Sequence, residues 1–179
     1  MNNIYSTISQ AEREVETERR VAISRDFFMQ GYNCAQSVAM TFADLYDVPA
    51  DLLCKLSAPF GGGIGRMRET CGAACGMFML TGLQTPTDDS IQNTKAQTYE
   101  IVQQLAARFK EQTGSLICKE LLGLNKKRLD GTLPDIPIIP TPEPRTAEYY
   151  KKRPCVKMVE TAVRTYMEYL FNTCDTPAN

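Results

Sequence analysis

Apolar residues recur at helical spacing along most of the chain, and the strict alternation of a half-buried strand is nearly absent. From about Ala11 to Gln30 a charged stretch carries Val15, Ala22, Ile23, Phe27 and Phe28, and Gly31 ends it. Asn33 is a favoured cap for a second helix with Ala35, Val38, Ala39, Phe42 and Leu45 on its buried side. Pro49 suits the first turn of a short third helix carrying Leu52, Leu53 and Leu56. Phe60 to Gly65 then reads FGGGIG, a loop in which glycine permits positive φ and close backbone approach. Thr70 is placed to cap the next helix, CGAACGMFMLTGL, whose small residues predict tight packing against a neighbour. Asp88 and Asp89 open a long amphipathic helix with Ile91, Ala96, Tyr99, Val102, Leu105, Ala106 and Phe109 inward, closed by Gly114. A helical turn from Cys118 to Leu122 follows. Pro154 starts a last helix with Met158, Val159, Ala162, Val163, Tyr166 and Leu170 on one face.

Between these helices, Leu124 to Arg145 holds five prolines (Pro134, Pro137, Pro140, Pro142, Pro144) and the basic run Lys126-Lys127-Arg128. It reads as an extended surface excursion, because the piece after it is too small to fold alone. The expectation is an all-α fold: one multi-helix bundle over 1–179, with a Gly-rich loop and a Pro-rich excursion at 124–145. At 179 residues the chain can bury a sizeable core in one domain.

Composition narrows the chemistry. Apolar residues make up 43% and charged residues 23%, and the net charge of −1 gives no basic surface for nucleic acid. The first twenty residues hold no apolar core of a secretory signal, and no apolar run approaches the roughly 18 residues that span a bilayer. The expected location is cytoplasmic, without membrane insertion. Histidine is absent, which removes His-based triads and His-ligated metals from consideration. Any metal would need sulfur or oxygen ligands.

Seven cysteines remain: Cys34, Cys54, Cys71, Cys75, Cys118, Cys155 and Cys174. In a reducing compartment such numbers point to metal binding, redox chemistry or plain burial. Four of them stand where helices are expected to begin: Cys34 after Asn33, Cys71 after Thr70, Cys118 after Ser115 and Cys155 after Pro154. A helix N-terminus offers unpaired N–H groups and partial positive charge, so it favours thiolate over thiol. Arg66 and Arg68, upstream of Cys71, act in the same direction. If the four starts converge, the result is a pocket of sulfur anions. Burial as small hydrophobes is the competing reading, and Cys54 and Cys174 are left in that class. Cys71 and Cys75, four apart, have Cβ atoms roughly 6 Å apart on a regular helix, too far for a disulfide yet suitable for sharing a metal.

The glycine loop matches neither GxGxxG, since Arg66 or Arg68 would fill the last glycine position, nor the P-loop pattern. Gly61, Gly62, Gly63 and Arg66 are the candidates for cofactor or anion contact, and Glu69 beside Cys71 is a solvated carboxylate or a proton relay.

Three segments together carry a family resemblance: Gly31-Tyr32-Asn33-Cys34-Ala35-Gln36-Ser37-Val38, Phe60-Gly61-Gly62-Gly63-Ile64-Gly65-Arg66-Met67, and Cys71-Gly72-Ala73-Ala74-Cys75-Gly76. They resemble the C_GCAxxG_C_C family of redox-active proteins, named for four cysteines and a Cys-Gly-Ala-x-x-Gly motif. The motif falls on Cys71 to Gly76, and the remaining family cysteines map to Cys118 and Cys155. The similarity extends over about residues 20 to 170. It implies a redox site at Cys34, Cys71, Cys118 and Cys155. To the minimal pattern this chain adds Cys54, Cys75, Cys174 and the Pro-rich stretch.

Three readings follow. In the first, the four cysteines either bind an iron–sulfur cluster for electron transfer or cycle between dithiol and disulfide, with a redox partner protein. In the second, the cysteines, Cys75 among them, hold a structural zinc, or pack as thiols, in a helical module. In the third, the glycine loop and Arg66 hold an anion. The small-residue helix and the apolar last helix are also compatible with a homodimer.

Overall fold

Local capping sets where the first helices begin. The computed structural model describes Tyr5 and residues 8–85, 90–127 and 129–175. Helix α1 spans Gln10–Met29, and the Ser9 hydroxyl accepts from the Glu12 N–H while the Glu12 carboxylate accepts from the Ser9 N–H. Helix α2, Cys34–Met40, repeats this reciprocal cap with Asn33 and Gln36. Then come α3 (Ala50–Ser57), α4 (Gly72–Gln84), α5 (Ile91–Thr113), α6 (Cys118–Leu121), α7 (Ala147–Lys152) and α8 (Cys155–Asp175). Gly114 ends α5 at φ 88°, a left-handed position that suits glycine. The expected opening at Asp88 and Asp89, Arg128 of the basic run, and the Cys174 side chain lie outside the described residues.

Among the described residues the fold is all-α, with no strand. Helix α8 is its centre: it packs on α1, α2, α4 and α5, and its Val159, Ala162, Val163, Tyr166 and Met167 are completely buried. The small-residue character of α4 is used inside the chain. A Cβ at Gly76 would lie 2.6 Å from the Ala35 carbonyl oxygen, and one at Gly72 would lie 2.8 Å from the Phe60 oxygen and 3.3 Å from Cys34 Cβ. Glycine at these positions is what lets α4 approach α2 this closely. Among the described residues, no helix is long and apolar enough to cross a membrane.

Several expectations shift in detail. Cys71, not Thr70, is the cap of α4. Thr70 instead forms an isolated antiparallel bridge with Ile117; the Cys71 N–H donates to Leu116 oxygen at 2.7 Å and the Cys118 N–H to Glu69 oxygen at 2.6 Å. Pro49 precedes α3 as its cap residue, and Leu52 and Leu56 are exposed while Leu53 is buried. On α1, Val15 and Ala22 face solvent and the buried face is Arg20, Val21, Ser24 and Phe28. On α5 only Leu105 and Phe109 are buried, and Ile91, Ala96 and Tyr99 are exposed. Each case has one cause: helical period tells which residues share a face, while the neighbours decide how far along that face burial runs. Helix α7, at the end of the Pro-rich segment, has no apolar period of its own; the Thr146 hydroxyl caps it by accepting from the Tyr149 N–H.

Candidate functional site

Cys34 is the first residue of α2, Cys71 the cap of α4, Cys118 the first residue of α6 and Cys155 the first of α8. All four line one cavity of about 570 Å³. Helix starts from distant parts of the chain therefore meet at one place. The bridge at Thr70 and Ile117 ties the Cys71 and Cys118 segments together, and the contact of Gly72 with Cys34 brings in the third.

The glycine loop forms part of the same wall, and Gly61, Gly62, Gly63 and Arg66 all line the cavity. A Cβ on Gly63 would sit 2.6 Å from Cys118 Cβ and 2.8 Å from the Glu69 nitrogen, at a φ of +75°. Beyond it Ile64, Arg66 and Arg68 hold φ values of 57°, 65° and 65°. Left-handed backbone at non-glycine residues costs roughly 1–2 kcal/mol each. It is held by long reverse hydrogen bonds: the Gly65 N–H donates to Pro59 oxygen, Arg66 to Gly61, Arg68 to Gly62 and Glu69 to Gly63. The loop is wound tightly by its own backbone, and it aims Arg66 and Arg68 at the sulfur atoms' surroundings.

The Pro-rich segment closes the opposite side with Pro140, Pro142, Glu143 and Arg145. Arg66 Nε donates to the Ile139 carbonyl at 2.9 Å, and Arg153 pairs with Glu143 at 2.5 Å. The Arg145 guanidinium stacks on Phe28 and Tyr149, at 4.5 and 4.8 Å from their ring centres, and one nitrogen donates to the Tyr32 carbonyl. Its other terminal nitrogen, Nη1, is buried without a partner. Four arginines (66, 68, 145 and 153) thus face a single lining carboxylate, Glu143.

The thiols do not ionise alike. The neighbouring Cys34 thiol, followed by Arg153, Arg145 and Arg68, pulls Cys155 down to about 7 against the desolvation of burial. Cys34, the other half of the pair, is pushed well above the ordinary thiol range by Cys155 and then by burial. Burial raises Cys71 to about 12, with the N–H groups of Ala73 and Ala74 opposing it. Burial also raises Cys118, with Arg68 opposing. At Cys34, Cys71 and Cys118 burial and the neighbouring thiols outweigh the helix starts, and of the four only Cys155 is shifted toward its anion.

Cys75 stands apart. It does not line the cavity, its thiol donates to the Thr70 carbonyl at 3.9 Å, and burial raises it to about 11. Cys54 is half-buried, with Gln36 donating to its carbonyl and sulfur. The six described cysteines are free thiols. Among the described residues, no group of three or more cysteine or carboxylate side chains is arranged to hold a metal ion. Glu69 is exposed and pairs with Lys119 at 3.8 Å, facing water as a solvated carboxylate would. Sequence reasoning missed Glu143, Arg145 and Arg153. Arg153, two residues before Cys155, carried a readable signal of the kind seen in Arg66 and Arg68; Arg145 and Glu143 sit in a segment with no periodicity and carried none.

A family model described as "Putative redox-active protein (C_GCAxxG_C_C)" matches residues 32–169. No curated protein and no solved structure matches the chain.

Proposed function

The chain belongs to the C_GCAxxG_C_C family, and on that premise we propose that it is a thiol–disulfide redox protein whose working pair is Cys155 and Cys34. The observation that carries this reading is that Cys34 and Cys155, each the first residue of its helix, line one cavity, where Cys34 and the guanidinium groups of Arg153, Arg145 and Arg68 shift Cys155 toward its thiolate. A thiolate whose pKa lies near the ambient pH is the best attacking group, since it is ionised without losing nucleophilicity.

The reaction balances as follows. The Cys155 thiolate attacks one sulfur of a substrate disulfide; a mixed disulfide forms, the substrate S–S bond breaks, and one substrate thiolate leaves. Cys34 gives up its proton to solvent or to that thiolate and attacks the Cys155 sulfur. The Cys34–Cys155 bond forms and the second substrate thiol is released. Two electrons pass from the protein to the substrate, and a reducing dithiol, small or protein-borne, restores the pair. Cys71 and Cys118 shape the cavity as protonated thiols. A pair that must rest reduced suits a reducing compartment such as the cytoplasm.

The test is to treat the reduced protein anaerobically with 2-hydroxyethyl disulfide, quench with acid and map the bonds by mass spectrometry. A Cys34–Cys155 disulfide is expected, with Cys155→Ser abolishing it and Cys34→Ser trapping the mixed disulfide on Cys155. Iron and sulfide in stoichiometric amount with visible absorbance, or oxidation confined to other cysteines, would overturn the reading in favour of a cluster or of inert thiols.

A further inference from the structure

We propose that the cavity takes a small organic disulfide bearing carboxylates, held by Arg145 and Arg66 so that its S–S bond meets Cys155. This inference rests on the dithiol reading and adds the substrate class.

Three features of the cavity point to it. Four arginines line it against one carboxylate, so the wall keeps a net positive charge even when one sulfur is ionised. Walls of one sign in a partly enclosed cleft concentrate ligands of the opposite sign. The Nη1 group of Arg145 is buried and lacks an acceptor, although the same guanidinium is fixed in place by aromatic stacking and by the Tyr32 carbonyl. A planar, pre-positioned guanidinium edge matches a carboxylate. Finally, the volume of about 570 Å³ lies within the range of small-molecule sites.

The chemistry is the two-electron exchange already written, with the substrate's two carboxylates unchanged and its two sulfurs released as thiols. Arg145 and Arg66 are binding residues in this scheme, while Cys155 forms and breaks the covalent bonds.

The experiment uses three disulfides with similar cores and different charge: dithiodiglycolate, 2-hydroxyethyl disulfide and cystamine. Each is reduced by the full-length reduced protein at low salt, and each rate is divided by that disulfide's rate with free dithiothreitol. The normalised rate for dithiodiglycolate is expected to exceed that for cystamine by about 30-fold. Added salt, Arg145→Gln and Arg66→Gln should each reduce this preference to a few-fold or less. If Arg145→Gln fails to fold by circular dichroism, Arg66→Gln and the salt series carry the decision. Equal normalised rates for all three would overturn the substrate class and leave the dithiol pair standing. No reaction with any of them would overturn the pair. In that case calorimetry of thiodiglycolate with the Cys155→Ser protein judges the site separately: binding lost in Arg66→Gln supports an anion site, and no binding overturns it. Inorganic phosphate competing as strongly as thiodiglycolate would replace carboxylate by phosphate and overturn the class named here.

Discussion

Two arginines of this chain, Arg20 and Arg145, are set among aromatic rings, and their surroundings are opposite. Arg20, on α1, is 1% exposed. Its Nε donates to Tyr5 and Glu16, its Nη1 to the Thr41 carbonyl and Asp44, its Nη2 to Asp44, and its guanidinium packs over Phe42. Every nitrogen has a partner, and the charge is matched by two carboxylates. Arg145 packs over Phe28 and Tyr149 with one nitrogen satisfied and one not, in a cavity where arginines outnumber carboxylates. A satisfied buried charge holds elements together, whereas the Arg145 guanidinium keeps a donor without a protein partner. Arg20 is the structural case, and Arg145 carries the proposed binding role.

The sharpest break of this contrast is Arg20→Ala. Removing one partner of a buried charge network is expected to lower the unfolding free energy by about 3 kcal/mol in urea titrations, with the alkylation rate of Cys155 unchanged. A comparable fall in that rate would mean that the two regions are one coupled unit. Next in size is Cys155→Ser, which should reduce iodoacetamide labelling of the reduced protein at neutral pH by about fiftyfold, since the other cavity thiols are protonated there. Unchanged labelling would place the thiolate elsewhere.

The same ionisation is a stability term with a definite sign. The folded Cys155 value of about 7 lies below the unfolded thiol value of about 8.5. Its contribution is therefore present in full above the unfolded value and is lost as pH falls through the folded one. The stability difference between the unmodified chain and Cys155→Ser should grow by up to about 2 kcal/mol from pH 6 to pH 8.5. Cys71, raised to about 12, acts in the reverse sense: its contribution is present below the unfolded value and disappears as pH rises toward the folded one. The smallest effect expected is that of Arg153→Gln, which should raise the midpoint of the pH–alkylation curve of Cys155 by about one unit, with Glu143 left without its closest partner. No movement would assign the depressed value to Cys34, Arg145 and Arg68.

Much of this was legible before the fold. Asn33 and Gly114 act through backbone groups within a few residues of themselves, so the helix limits they imply hold in three dimensions. For the same reason the placement of Cys34, Cys118 and Cys155 as first helical residues was readable. The α4 pattern of Gly72 and Gly76 announced a close neighbour without naming α2. The exposed faces of Ile91, Ala96 and Tyr99 were misjudged because nothing in a helical period says where the adjoining helix ends.

By itself the sequence determined the class of fold, the family, the absence of histidine chemistry and the position of four cysteines at helix starts, because capping, periodicity and composition act locally or need no geometry at all. Only the tertiary structure decided that those four cysteines share a cavity with Arg145 and Arg153, and that of the four Cys155 is the one shifted toward its thiolate. Ionisation answers to desolvation and to charges a few ångströms away through space, and residues more than a hundred positions apart become such neighbours only when the chain has folded.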